Sequence, residues 1–161
     1  MRIIGIDPGI NITGYAIIEK RPHSNVLKLR EGGVIRGKSR HTLPERVHEI
    51  YKNLVEVLDE WKPEALSLEE VYSHYERPKT AILMGHVRGV ICLAAAERGI
   101  PVFSYSATTV KKMLTGSGRA SKNQIQRAIQ LEFQLPTLPE PPDLADALAI
   151  AMCHGFHVDA L

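Results

Sequence analysis

RIIGIDPG (residues 2–9), followed by TGYAIIEK (residues 13–20), is the stretch on which the reading of this chain turns. It predicts a first strand over residues 2–7 that ends on a carboxylate, Asp7, then a turn through Pro8-Gly9 and a second strand near 13–20. Leu27 and Leu29 alternate with Lys28 and Arg30, and the pattern continues past Gly32-Gly33 to Val34 and Ile35, which suggests a third strand. Three strands in succession read as a meander.

Outward from that opening the pattern changes. Val47, Ile50, Tyr51, Leu54, Leu58 and Trp61 recur at helical spacing and predict a helix over about 44–61, ended by Pro63. Residues 65–69 read as a fourth strand, and a long helix over about 79–98 stops at Gly99. Residues 101–105 give a fifth strand. A short helix carrying Lys111 and Lys112 follows, then a Gly-rich loop and a helix from about 121 to 133. Pro136, Pro139, Pro141 and Pro142 isolate a final helix that begins near Asp143. A meander followed by strands alternating with helices is an α/β arrangement, a mixed sheet flanked by helices.

The 161 residues suffice for one domain with a real core, so 1–161 is expected to be a single unit. Apolar residues at 44% and charged residues at 24% match a soluble globular protein, and the apolar runs look shorter than a membrane span. The first strand already begins at Arg2, so no secretory segment is expected and a cytoplasmic setting fits best. Cys92 and Cys153 both lie in apolar helical stretches and are expected to be buried free thiols.

Four carboxylates sit at predicted element ends: Asp7, Glu69, Asp143 and Asp146. Strands that run parallel and neighbour each other bring their ends to one sheet edge, where ligands gather. Clustered acids then call for a cation among them. Of the adjacent pair Glu69 and Glu70, Glu69 shares a strand face with Ala65 and Ser67, the better wall for a cleft, whereas Glu70 shares one with Leu66 and Leu68. Plainer readings stand beside this one. Asp7-Pro8-Gly9 also suits a mere tight turn. Asp143 has the look of a helix N-cap, with Asp146 completing a capping-box-like pair. Against that, residues at i and i+3 lie roughly 5–6 Å apart, where like charges repel.

Net charge is only +2, yet from Arg98 to Leu131 there are six Lys/Arg (Arg98, Lys111, Lys112, Arg119, Lys122 and Arg127) and no Asp or Glu. Such a band suits a polyanion, or is simply a solvated basic face. The Thr115-Gly116-Ser117-Gly118-Arg119 loop lacks P-loop spacing. His154 and His157 share a helix face without completing a zinc set, and read as surface or C-terminal decoration; His74 differs in position, two residues past Tyr72.

Together Gly5-Ile6-Asp7-Pro8-Gly9, Thr13-Gly14-Tyr15, Leu68-Glu69-Glu70-Val71-Tyr72, Val110-Lys111, Gly116-Ser117-Gly118 with Lys122, and Asp143 through Ala151 resemble the RuvC-type Holliday-junction resolvases over nearly the whole chain. That resemblance implies an RNase H-like fold with a mixed five-stranded sheet flanked by helices. It implies a homodimer that resolves four-way DNA junctions in recombination and repair by paired nicks. Magnesium or manganese is implied at Asp7, Glu69, Asp143 and Asp146; hard-cation chemistry then suggests two ions, with Asp7 bridging them and Glu69 and one helix aspartate completing the shells. Lys111 and Lys122 are implied in catalysis and DNA contact, and Tyr72 in DNA contact at the junction centre; from the basic band, Lys111, Lys112, Arg119 and Lys122 are expected to bind phosphates. Branch-migration motor proteins are implied as partners; no membrane is.

The segment 73–78 departs from the commonest family pattern by what looks like one extra residue. A junction offers two equivalent scissile phosphates and a domain this small one acid cluster, which argues for a dimer. The helix bearing Gly85 and Gly89 is the candidate interface, unless those glycines pack on the sheet. Rival functions are an RNase H-like nuclease on another structured nucleic acid and a non-cutting junction-binding protein, which would gain nothing from four acids. The opening also resembles the phosphate loop of actin-like ATPases, which need two such domains.

Overall fold

A computed structural model describes residues 1–21, 24, 26–38, 40–70 and 78–158 of the chain. Five strands form one sheet in the order β3-β2-β1-β4-β5: β1 (Arg2–Asp7), β2 (Ile12–Lys20), β3 (Leu27–Arg36), β4 (Ala65–Glu69) and β5 (Val102–Tyr105). The meander is antiparallel, whereas β4 and β5 join β1 in parallel. The helices are α1 (Leu43–Trp61), α2 (Pro78–Ala96), α3 (Ala107–Thr115), α4 (Lys122–Glu132) and α5 (Pro142–His157). The mixed five-stranded sheet flanked by helices is therefore as the sequence predicts.

Strand alternation divides the core between the two sheet faces. Ile4, Ile6, Leu66 and Leu68 meet Ile50, Leu54 and Leu58 of α1 and Val87, Ile91, Ala94 and Ala95 of α2. Ile3, Ala16 and Ile18 face α5 on the other side, with Val110, Ile125 and Ile129 of α3 and α4 behind it. On the α1 side, Glu31 of β3 accepts hydrogen bonds from Tyr15 Oη at 2.8 Å and from Trp61 Nε1 at 3.0 Å, tying the C-terminal end of α1 to the sheet.

Helix α5 is the central element. From Ala145 to Gly155 only Asp146 is not buried, so its apolar residues serve as core on nearly all sides. Its small residues let it lie on the sheet at backbone distance. A Cβ added at Gly5 would stand 2.3 Å from the carbonyl oxygen of Ala147 and 2.5 Å from the nitrogen of Ala151. A Cβ at Gly14 would stand 2.0 Å from the carbonyl oxygen of Asp143. Asp143, Ala147 and Ala151 form one i, i+4 row on the helix, and that row rides over the two glycines.

Several expectations need correction. Asp143 does not cap α5: Pro141 is the N-cap, without a side-chain cap bond, and Asp143 lies inside the first turn. Cys153 is buried but Cys92 is exposed, because α2 turns Cys92 away from Val87, Ile91, Ala94 and Ala95. Gly85 and Gly89 do not pack on the sheet; a Cβ at either would meet nothing within 4 Å. His154 is no surface residue. It is 1% exposed, with Nδ1 2.7 Å from Tyr105 Oη and its ring 4.3 Å from that of Phe103, and burial pushes its pKa down to about 4. By length and composition α2 is also long and apolar enough to span a membrane, contrary to the reading of short apolar runs. Here one of its faces lies in the core.

Candidate active site

Asp7 and Glu69 end adjacent parallel strands. The register pairs Gly5 with Ser67 and Ile6 with Leu68, which brings Asp7 level with Glu69 at one edge of the sheet. Both face α5, since Leu66 and Leu68 point into the opposite core. Glu69 thus lies on the side of Asp7, whereas Glu70 lies past the strand and is exposed. The Pro8-Gly9 connection is indeed tight, with Thr13 Oγ1 donating to the Gly9 carbonyl at 2.7 Å, and the turn delivers Asp7 to the edge.

The first turns of α5 supply the other two acids. Asp143 lies against Gly14, the register partner of Asp7. Asp146, one turn on, lines an open cleft of about 250 Å³ with Glu69 and Lys111, walled by Val110, Ile125 and Ile150. Lys122 Nζ stands 3.5 Å from Asp146 Oδ2. Its position is set locally: Ser121 and Gln124 form a capping box that fixes the start of α4, making Lys122 the first helical residue.

The electrostatics report the same crowding. Asp7 is pushed up to about 7, first by burial, then by the charges of Asp146, Glu69 and Asp143, with Lys122 opposing. Glu69 is also raised, by burial and by Asp146, against the pull of Lys111 and Arg88. A charged cluster whose members hold one another's protons on is one that a cation would relieve. Four carboxylates offer the oxygen donors that magnesium and manganese take. As the side chains stand, no three His, Cys, Asp or Glu among the described residues close into a ligand group. The fit to a metal thus lies in donor chemistry and charge.

The other predicted contacts divide. Lys111 shares the cleft with the acids, but Lys112 faces away, beside Thr108, Thr109 and Met113. Arg119 is exposed beyond α3 and lines none of the cleft. The basic band is not continuous, because Arg98 is taken by Asp59 at 2.6 Å. Tyr72, His74 and residues 73–77 of the altered loop lie outside the described residues.

Sequence reading missed Arg88. From α2 its guanidinium donates to the Glu69 carbonyl and, at 3.3 Å, to Ser104 Oγ, clamping the end of β4 to β5. It also missed Gly5 and Gly14 as the seats of α5. Only the coincidence of two glycines with a small-residue row, Ala147 and Ala151, could have signalled it.

Known proteins share this fold. Residues 3–154 match the family model described as crossover junction endodeoxyribonuclease RuvC. The chain is 54% identical over 154 residues to the crossover junction endodeoxyribonuclease RuvC of Rhodopirellula baltica, covering 96% of this chain and 85% of that one. Its fold is similar to the RuvC structure of Thermus thermophilus, with TM-score 0.92, 34% identity and coverage of 99% and 96%. The T. thermophilus RuvC in complex with a Holliday junction substrate matches with TM-score 0.91 at the same identity and coverage.

Proposed function

The chain belongs to the RuvC family of crossover junction endodeoxyribonucleases, and from that premise we propose that it resolves four-way DNA junctions by paired, symmetric, magnesium-dependent nicks. The observation that carries this reading is the convergence of Asp7, Glu69, Asp143 and Asp146 at one sheet edge, where their charges raise the pKa of Asp7.

Asp7 lies between its acidic neighbours, Asp143 on the β2 side and Glu69 with Asp146 on the cleft side. Asp7, Glu69, Asp143 and Asp146 would hold the metal, Asp7 being the most central of the four donors. When bound, the metal pair activates the attacking water and stabilises the leaving 3′ oxygen. Lys122 keeps its ammonium beside Asp146, where it faces charge building on the scissile phosphate. Lys111 lines the same cleft and orients that phosphate. Lys112 and Arg119, outside the cleft, hold the sugar-phosphate backbone farther from the cut, which fixes register rather than sequence.

Paired nicks need two acid clusters facing one junction. The exposed stripe of α2, formed by Ile82, Gly85, His86, Gly89, Cys92, Leu93 and Ala96, is apolar but for His86, helically spaced and without a neighbour at either glycine. We take it as the two-fold interface. The family likeness also supports docking of branch-migration motor proteins on the assembled dimer, which co-sedimentation would test.

The deciding experiment incubates the protein with end-labelled four-way junction, linear duplex and RNA–DNA hybrid, each in magnesium and in EDTA. Symmetric, ligatable, magnesium-dependent nicks confined to the junction are expected. Tight junction binding without cutting in magnesium or manganese would leave a binding protein. Cutting of the hybrid instead would reassign the substrate.

A further inference from the structure

The sheet edge that carries the acids continues past β1 to β3, and there it becomes basic. From Gly32 to Pro44 the chain holds Arg36, Lys38 and Arg40 and no Asp or Glu. β3 runs antiparallel to β2, so its last residue emerges beside Asp7 rather than at the far end of the sheet. The register fixes its side. Asp7 pairs with Gly14, Gly14 with Val34, and Ile12 with Arg36. Arg36 therefore shares the α5 face of the sheet with Asp7, two strands across and two residues further out. Strand spacing and rise put that at about 12 Å between backbones. Lys111 and Lys122 come from α3 and α4, which follow β5, two strands from β1 in the opposite direction.

The corner is built firmly. Gly37 N donates to the Asn11 carbonyl at 2.9 Å, and a Cβ at Gly37 would stand 2.6 Å from the Ile10 carbonyl oxygen. Arg46 Nη2 donates to the Ile10 carbonyl at 3.1 Å and to the Asn11 side chain. The basic segment is thus tied to the connection that leaves Asp7. Its arginines also remain available to a ligand. Elsewhere Arg30 pairs with Glu19 and Arg98 with Asp59, and Lys38 shares Glu49 with His41. Arg36 and Arg40 are exposed and have no acidic partner among the described residues.

We propose that Arg36 and Arg40 form a second phosphate-binding patch, which grips the junction backbone on the opposite side of the acid cluster from Lys111 and Lys122. The inference rests on the junction-resolving reading above and adds where the substrate is held. A strand gripped on one side of the cut alone can pivot about that grip; held on both sides, its phosphate stays in line with the attacking water. The contacts are to phosphates and carry no sequence preference.

The test measures junction affinity in EDTA against potassium chloride concentration for the unaltered protein, for R36Q/R40Q and for R36K/R40K, with thermal melts to show that all three fold alike. Both side chains are exposed, so intact folding is expected. R36Q/R40Q should bind more weakly, and its plot of log affinity against log salt should flatten by about 0.9 for each phosphate that the variant no longer neutralises. R36K/R40K should keep the steep slope. Wild-type affinity and slope in R36Q/R40Q would overturn the patch while leaving junction binding intact. Failure of the unaltered protein to bind the junction would overturn both readings.

Discussion

Asp7 is where stability and activity oppose each other. Its carboxyl titrates near 7 in the folded chain against 3.8 for an ordinary aspartate, so across that window the native state holds a proton that the unfolded chain has released. Without metal, stability therefore falls as pH rises from about 4 to about 7. Each pKa unit is worth about 1.4 kcal/mol, which sets a ceiling of about 4 kcal/mol at neutral pH. Asp7→Asn should melt higher than the unaltered protein in EDTA at pH 8, with the gap closing by pH 5. In magnesium the same variant should bind junctions and cut them at least about a thousandfold more slowly. Equal melting temperatures at pH 8 would show that burial of the charge is not costly. Lys122 opposes the repulsion, so Lys122→Ala should slow single-turnover cleavage by about 10²-fold. An unchanged rate would remove the ammonium from the chemistry. The identity of these side chains was legible in the sequence because acids at strand and helix ends stand out against apolar surroundings. Arg88 was not, since an arginine in a helix gives no sign that it reaches a strand's last carbonyl.

At the scale of elements, the site depends on how closely α5 lies on β1 and β2. Gly5→Ala would drive a methyl into the Ala147 carbonyl, so the helix must lift. A loss of at least about 2 kcal/mol follows from overpacking of this kind, a fall of roughly 5 °C in a chain of this length. Cutting should drop further than stability alone explains, because Asp143 and Asp146 ride on the displaced helix. A variant that melts as the unaltered protein does would mean that the backbone relaxes without moving α5. Strand order beyond the meander follows from β4 and β5 joining β1 in parallel, and alternation alone placed all five strands to within a residue or two. What alternation could not give was burial by a distant element. His154 looked like a C-terminal surface histidine because its cover, Phe103 and Tyr105, arrives from β5. Cys92 looked buried because α2 is apolar on the face that the chain itself leaves open.

For the whole molecule, that open face is the proposed site of assembly. Leu93 is 52% and Ile82 62% exposed, large apolar side chains flanking two unfilled glycines. Leu93→Lys should shift sedimentation from dimer to monomer at micromolar concentration and abolish paired nicking while leaving the chain folded. Cys92 lies in the same stripe and Cys153 is buried, so a thiol reagent tests the proposed interface directly. Slow labelling of the unaltered protein and fast labelling of Leu93→Lys are expected. Fast labelling of both would place the two-fold elsewhere.

The fork at Glu31 has an optical consequence. Trp61 is the single tryptophan of the chain, bonded to Glu31 on the face of the sheet turned away from the acids. Its emission reports whether α1 is docked, and the edge that carries the acids contributes nothing to it. Intrinsic fluorescence should therefore follow unfolding faithfully while remaining blind to a magnesium titration, leaving the two events spectroscopically separable without a label.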